Sequence, residues 1–436
     1  QLPGEVMVWR SLPLLLMLLT VQARGQSPAD AVLAAATDVQ RLPATVREQA
    51  RYLSLYNIPP AEREPVYRVL CYHCNSLSRE PDLVPLTAVS LDYSLLRLLL
   101  ADYRWDRATW EKLAESDYYF HIKLVEGSKA FTAAAPWLSD TPQQRAALAV
   151  LVGATKSQAP ILKADWFFQQ TAAQVDRNPG YYDFLGIKTE KDFWKAIGFD
   201  PKTSADFTRP LREAVARSTV TLQPRAIARV EKVGGAYWYT LDHRIAKDRA
   251  NPLRVLGKDA EKAYDASEQY GHLANGLWGT GLFKGTVDAK GNPEKDPGGR
   301  VDVAPDFVAS DSTAPGTDRR VHVNISCIRC HADGGLQPIN GWVRNLLTPP
   351  PGLTLKSPDY DAARRLRQEY TRTLVPHLEA DRARYRASVA AITSAWAMQL
   401  PGDKEVKYDK FLGEWTTQQL AREYGLSRER IRQIEA

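Results

Sequence analysis

The placing of its four cysteines does most to limit what this chain can fold around. They fall as two pairs, Cys71 and Cys74 in "CYHC" and Cys327 and Cys330 in "CIRCH", about 250 residues apart. A zinc ribbon needs its two Cys-x-x-Cys knuckles separated by roughly 15–20 residues. This spacing excludes one, so each pair is interpreted alone. In "CIRCH" the second thiol is followed directly by His331. Positions i, i+3 and i+4 share one face of a helical turn, so two sulfurs and an imidazole project together. That is the pattern of c-type haem attachment, with Cys327 and Cys330 bonded to the haem and His331 as an axial iron ligand. A disulfide or a thiol redox pair is the alternative at this stretch.

"CYHCN" differs, because Asn75 stands where a ligating histidine is needed and His73 lies between the cysteines. One helical turn brings Cys71 and Cys74 within disulfide reach. Two small residues packed in a helical core are the alternative, with a thiol oxidoreductase site third.

The N-terminal stretch bears on which chemistry is available. "MVWRSLPLLLMLLTVQARGQS" has a basic flank at Arg10, an apolar run from Leu12 to Leu19, and Ala23 and Gly25 before a cut at Gln26. This is the order of a secretory signal peptide, and the run is too short to span a bilayer. "QLPGEV" ahead of Met7 reads as translated upstream sequence. The expected location is periplasmic or secreted, with no stable membrane insertion. A formal charge of +6 and pI near 8.9 are mild for 436 residues. Acidic and basic side chains interleave along the chain, which suits docking to an acidic redox partner protein better than a nucleic-acid footprint.

With His331 on one side of an iron, the other axial position needs a candidate. Met7 and Met17 leave with the signal peptide, so Met398 is the one methionine of the mature chain, 67 residues after His331. His272 in "QYGHLANGLWG" is the alternative sixth ligand, with His243, His322 and His377 behind it. An iron with an open face is the further option.

Along the chain, residues 27–225 show apolar residues at three- and four-residue spacing, as in "VSLDYSLLRLLLADYRWDRATWEKLAE", which predicts helices. Residues 226–320 turn to β-branched and aromatic content with glycine turns, which predicts an antiparallel hairpin or small sheet. A haem domain over 321–400 follows, with helices from Asp359 to about Leu400, then a helical tail over 401–436. Within that tail "LSRERIRQIEA" resembles the helix-turn-helix of sigma factor region 4. Because an exported protein does not meet the chromosome, it is taken as incidental, and no nucleic-acid partner is expected.

Several stretches, among them "RYLSLYNIPPAER", "DYRWDRATWEKLAESDYYF", "ADWFFQQTA", "GAYWYTLD", "RVDVAPDFVASD" and "NISCIRCHADGG", together resemble the secreted single-haem c-type cytochrome family of planctomycete-type bacteria. The likeness runs over nearly the whole mature chain. It implies one covalent haem c on Cys327, Cys330 and His331; Cys71, Cys74 and His272 stand where the family pattern has other residue types. The expected fold is mainly α: a large N-terminal helical domain, a small antiparallel β insert, then an α-helical cytochrome c-like haem domain. The expected function is a periplasmic electron-transfer protein rather than a catalyst. The alternatives are an open-site haem enzyme or gas or redox sensor, and an exported docking protein with a redox-active haem.

Overall fold

The computed structural model describes residues 28–115, 141–243, 256 and 262–394, apart from 57, 175–178, 205–206, 208–209, 216, 219, 222–223, 306–308, 312–318, 332–335, 338, 340–342, 344–357 and 371–373. The signal-peptide residues, Met7, Met17, Met398 and the tail over 401–436 lie outside the described residues.

In chain order the elements are α1 (Pro28–Arg41), β1 (Ala50–Ser54), α2 (Pro60–Ser76), β2 (Thr87–Ala88), β3 (Leu95–Leu99), α3 (Arg107–Glu115) and α4 (Pro142–Thr155). There follow β4 (Ile161–Lys163), α5 (Ala164–Thr171), α6 (Tyr181–Leu185), α7 (Glu190–Ala196), β5 (Leu211–Val215), β6 (Arg225–Lys232) and β7 (Gly235–Asp242). The last are β8 (Ala266–His272), β9 (Trp278–Lys284), α8 (Ile325–His331), α9 (Pro358–Glu369) and α10 (Val375–Ser394). Local chemistry sets several starts. Thr141 caps α4 by accepting the Gln144 N–H at 3.2 Å, with Pro142 at the first helical position, where its missing N–H costs nothing. Pro60 opens α2 in the same way.

The strands form two sheets. The first has the order β2-β3-β1-β4, with β1 antiparallel to β3 and parallel to β4. The second is an antiparallel meander, β5-β6-β7-β8-β9. Its tightest turn joins β6 to β7 at Gly234 (φ 78°) and Gly235 (φ 140°), a left-handed backbone that favours glycine. A Cβ on Gly235 would also meet the His272 ring at 2.5 Å.

These sheets correct the expectation of a mainly α fold with a small β insert and a cytochrome c-like haem domain. Strands β1, β3 and β4 lie inside the stretch predicted to be helical. The physical reason is burial on both faces. On β1, Ala50 and Tyr52 pack under α1 and α4 with Val32, Val39, Leu148 and Leu151, whereas Leu53 enters the main apolar cluster on the other side. A strand covered on both faces shows no polar alternation, and its apolar run resembles a buried helix. The main cluster runs from Leu53 through Phe167, Tyr237, Trp278 and Cys327 to Ile392, so both sheets, α2 and α8 share one core. The expected division at 225/226 falls within the β5–β6 ladder, where Arg225 pairs with Val215.

Candidate functional site

The second sheet aims alternate residues at α8, because successive side chains of a strand point to opposite faces. On β6 these are Arg225 and Ile227, on β7 Trp238 and Thr240, on β8 Glu268 and Tyr270. The register puts Ile227 opposite Thr240 and Trp238 opposite Tyr270. Helix α8 supplies Cys327, Cys330 and His331 to the same space, a cavity of ≈ 250 Å³. The helical turn expected of "CIRCH" is thus present, and the side chains of Cys327, Cys330 and His331 line one cavity.

The cavity has a charged edge. Arg225 holds Asp242 through Nε (2.6 Å) and Nη2 (3.0 Å), and its Nη1 bonds Glu268 at 2.5 Å. All three are buried. Burial works against the guanidinium's charge, but Asp242 and Glu268 outweigh it and push the Arg225 pKa up. Burial pushes Asp242 up. Burial also opposes charge on Glu268, yet Arg225, the Tyr270 hydroxyl and His331 together hold its carboxyl below the ordinary value. Tyr270 donates to Glu268 at 2.5 Å, and the Cys327 thiol lies 3.9 Å from the same oxygen. The Tyr270 and His331 rings meet edge to face at 5.0 Å. Two carboxylates around one guanidinium leave the buried group with a formal surplus of negative charge.

The two thiols of the turn differ. Cys327 is 3 % exposed, and burial pushes its pKa up to about 12. Cys330 is half-buried, and neither residue is in a disulfide. Leu336, Gln337 and Ile339 also line the cavity, and Gln337 Nε2 donates to the Cys330 carbonyl.

His272 is not brought to this site. Its Nδ1 accepts the Ala236 N–H at 3.0 Å, so the proton sits on Nε2, which donates to the Asp381 carbonyl at 3.3 Å. The ring packs on Trp278 at 4.0 Å, and burial lowers its pKa to about 4. Cys71 and Cys74 lie far along the core on α2, both fully buried and outside any disulfide. Burial raises the Cys71 pKa to about 11 and pushes Cys74 well up. Between them His73 donates from Nε2 to Thr171 Oγ1 at 2.7 Å, since that hydroxyl spends its own proton on the Phe167 carbonyl.

The Arg225–Asp242–Glu268 group is hardly visible in the sequence. Its one legible trace is charged residues at inward positions of strands, which only the register identifies. A second such pair, Arg229 with Asp381 at 2.8 Å, ties β6 to α10, and Trp238 Nε1 donates to the same carboxylate.

Residues 403–436 match the family model of sigma-70, region 4. No curated protein and no solved structure matches the chain. The match corrects three expectations. The resemblance to a planctomycete-type cytochrome family is overturned, since the family model that matches, over residues 403–436, is a transcription-related one. The periplasmic haem electron carrier, with its open-site and docking alternatives, falls for the same reason. The third is the reading of the sigma-like tail as incidental, which the match over residues 403–436 overturns. Among the described residues, no group of three or more His, Cys, Asp or Glu is arranged to hold a metal ion, so nothing supports the iron and metal-binding reading. No helix among them is long and apolar enough to cross a membrane.

Proposed function

We propose that this is a DNA-binding protein with a transcription-related role, in which residues 403–436 contact nucleic acid and the α/β body carries a separate cavity. The observation that carries this reading is the match of that segment to sigma-70, region 4. The sequence supports it: "WTTQQLAREYGLSRERIRQIEA" breaks at Gly425, and Arg428, Arg430 and Arg432 crowd the part that follows. In a helix-turn-helix the second helix enters the major groove. Guanidinium groups there pair with guanine edges or phosphate oxygens. The test is binding of the full chain to duplex DNA, with Arg428, Arg430 and Arg432 changed together to alanine. Loss of binding in the variant is expected; equal binding by both proteins counts against the assignment.

One further point is a proposal of its own. Export rests on Met7–Gly25. Removal of that stretch and DNA contact by the tail place the chain in different compartments, so N-terminal sequencing of the protein from each cell fraction decides between them.

A further inference from the structure

The chain holds two Cys-x-x-Cys turns on helices, and only one of them faces open space. In α8 the two thiols sit about 4.5 Å apart along the axis and on one side of it. Both line the cavity, Cys330 half-buried and Cys327 buried. Apolar side chains of Val215, Val220, Ile227, Val321, Leu336 and Ile339 make up the walls. Glu268, a buried carboxylate fixed by Arg225 and Tyr270, accepts the Cys327 S–H. Two neighbouring thiols, an apolar chamber and a fixed proton acceptor suit a particular class of ligand. It is soft, bonds two sulfurs at once, and carries an apolar arm.

We infer that Cys327 and Cys330 form a binding site for such a dithiol-seeking ligand, of which a trivalent organoarsenical is the chemical type. The step is a condensation without change of oxidation state. Each sulfur forms one bond to arsenic, the arsenic–oxygen bond breaks, and the oxygen leaves as water carrying the two thiol protons. Cys330 reacts first because it is reachable. Closure on Cys327 follows, with Glu268 relaying its proton to the departing oxygen, and the aryl arm lies against the valine and isoleucine wall. No third donor is needed, which agrees with the lack of a larger donor cluster among the described residues. The site stands independently of DNA contact by the tail.

The full native chain is treated with phenylarsine oxide and its mass measured, followed by peptide mapping. One phenylarsenic group per chain is expected, bridging Cys327 and Cys330. It should be lost in Cys330→Ser and in Cys327→Ser and kept in Cys71→Ser/Cys74→Ser. The half-buried Cys330 makes its serine variant the one least able to disturb the fold, so that variant alone keeps the test valid if the other unfolds. Addition at Cys71 and Cys74 in the native chain overturns the proposal, as does an unmodified native chain or an adduct that survives Cys330→Ser. A starting mass already carrying haem on both α8 cysteines overturns it too.

Discussion

The two Cys-x-x-Cys turns have the same spacing and the same helical backbone but opposite surroundings. On α2, Cys71 and Cys74 are fully buried among Leu70, Tyr67, Tyr103 and Phe168, and the histidine between them is neutral and hydrogen-bonded inward. On α8, Cys327 and Cys330 stand at the wall of a cavity whose opposite side carries a guanidinium between two carboxylates. The motif therefore fixes the direction of two thiols and nothing more. Whether they become packing or chemistry depends on what the rest of the chain sets in front of them, an apolar core in one case and charged inward strand positions in the other.

The largest expected effect comes from breaking the charged side of this contrast. Arg225→Met leaves Asp242 and Glu268 buried without their partner, a change that costs about 3–5 kcal/mol when one member of a buried ion pair is removed. Chemical denaturation should show it, and the same variant should lose the ordered Glu268 that faces Cys327. Arg225→Met combined with Asp242→Asn and Glu268→Gln should recover much of the loss, because no net charge is then left buried.

Acid separates the two regions less sharply. His73 beside the α2 thiols has its pKa lowered by burial to about 3, and His272 to about 4, from an ordinary 6.5. Both are neutral in the fold and protonate in the unfolded chain below 6.5, so the unfolded state binds more protons in that window. Their contribution is whole above pH 6.5 and is lost as pH falls towards 4 and then 3. Each adds a slope of about 1.4 kcal/mol per pH unit. Stability measured from pH 7 to pH 4.5 should fall less steeply in His73→Gln, which keeps a donor for Thr171, than in the parent.

The smallest effects sharpen the comparison most directly. Cys74→Ser puts a hydroxyl into a fully buried apolar position and should cost about 1–3 kcal/mol. Cys330→Ser, at a half-buried position, should stay within about 0.5 kcal/mol. Equal losses at the two sites would mean that the second turn is packed like the first.

Much of the second sheet was legible. "AIARVEKVGGAYWYTLD" announced β6 and β7 by β-branched and aromatic content around a double glycine, and the structure pairs them from Arg225↔Asp242 to Lys232↔Gly235. The helical turn at "CIRCH" and the helix around Cys71 were legible from spacing. The first sheet was not, since β1, β3 and β4 are short and β1 is covered on both faces. In "LLRLLL" no polar alternation separates a buried strand from a buried helix, and pairing with β1 decides the matter. Of the site, the thiols and His331 could be named from sequence. Glu268 and Asp242 could not, because their meeting at Arg225 depends on strand register across more than forty residues. His272 stands away from the cavity for a related reason: it ends a strand and spends both nitrogens on backbone groups.

DNA contact by residues 403–436 is the central claim, and the salt dependence of binding tests it most directly. The full chain and its Arg428, Arg430 and Arg432 triple alanine variant would be titrated against one duplex from low to moderate salt. Each phosphate contact contributes a slope of about −0.9 in log K against log salt. The account predicts measurable binding by the parent, with a slope shallower in the variant by up to about 2.7 if all three arginines meet phosphates. No binding at low salt, or the same slope in both proteins, would contradict it.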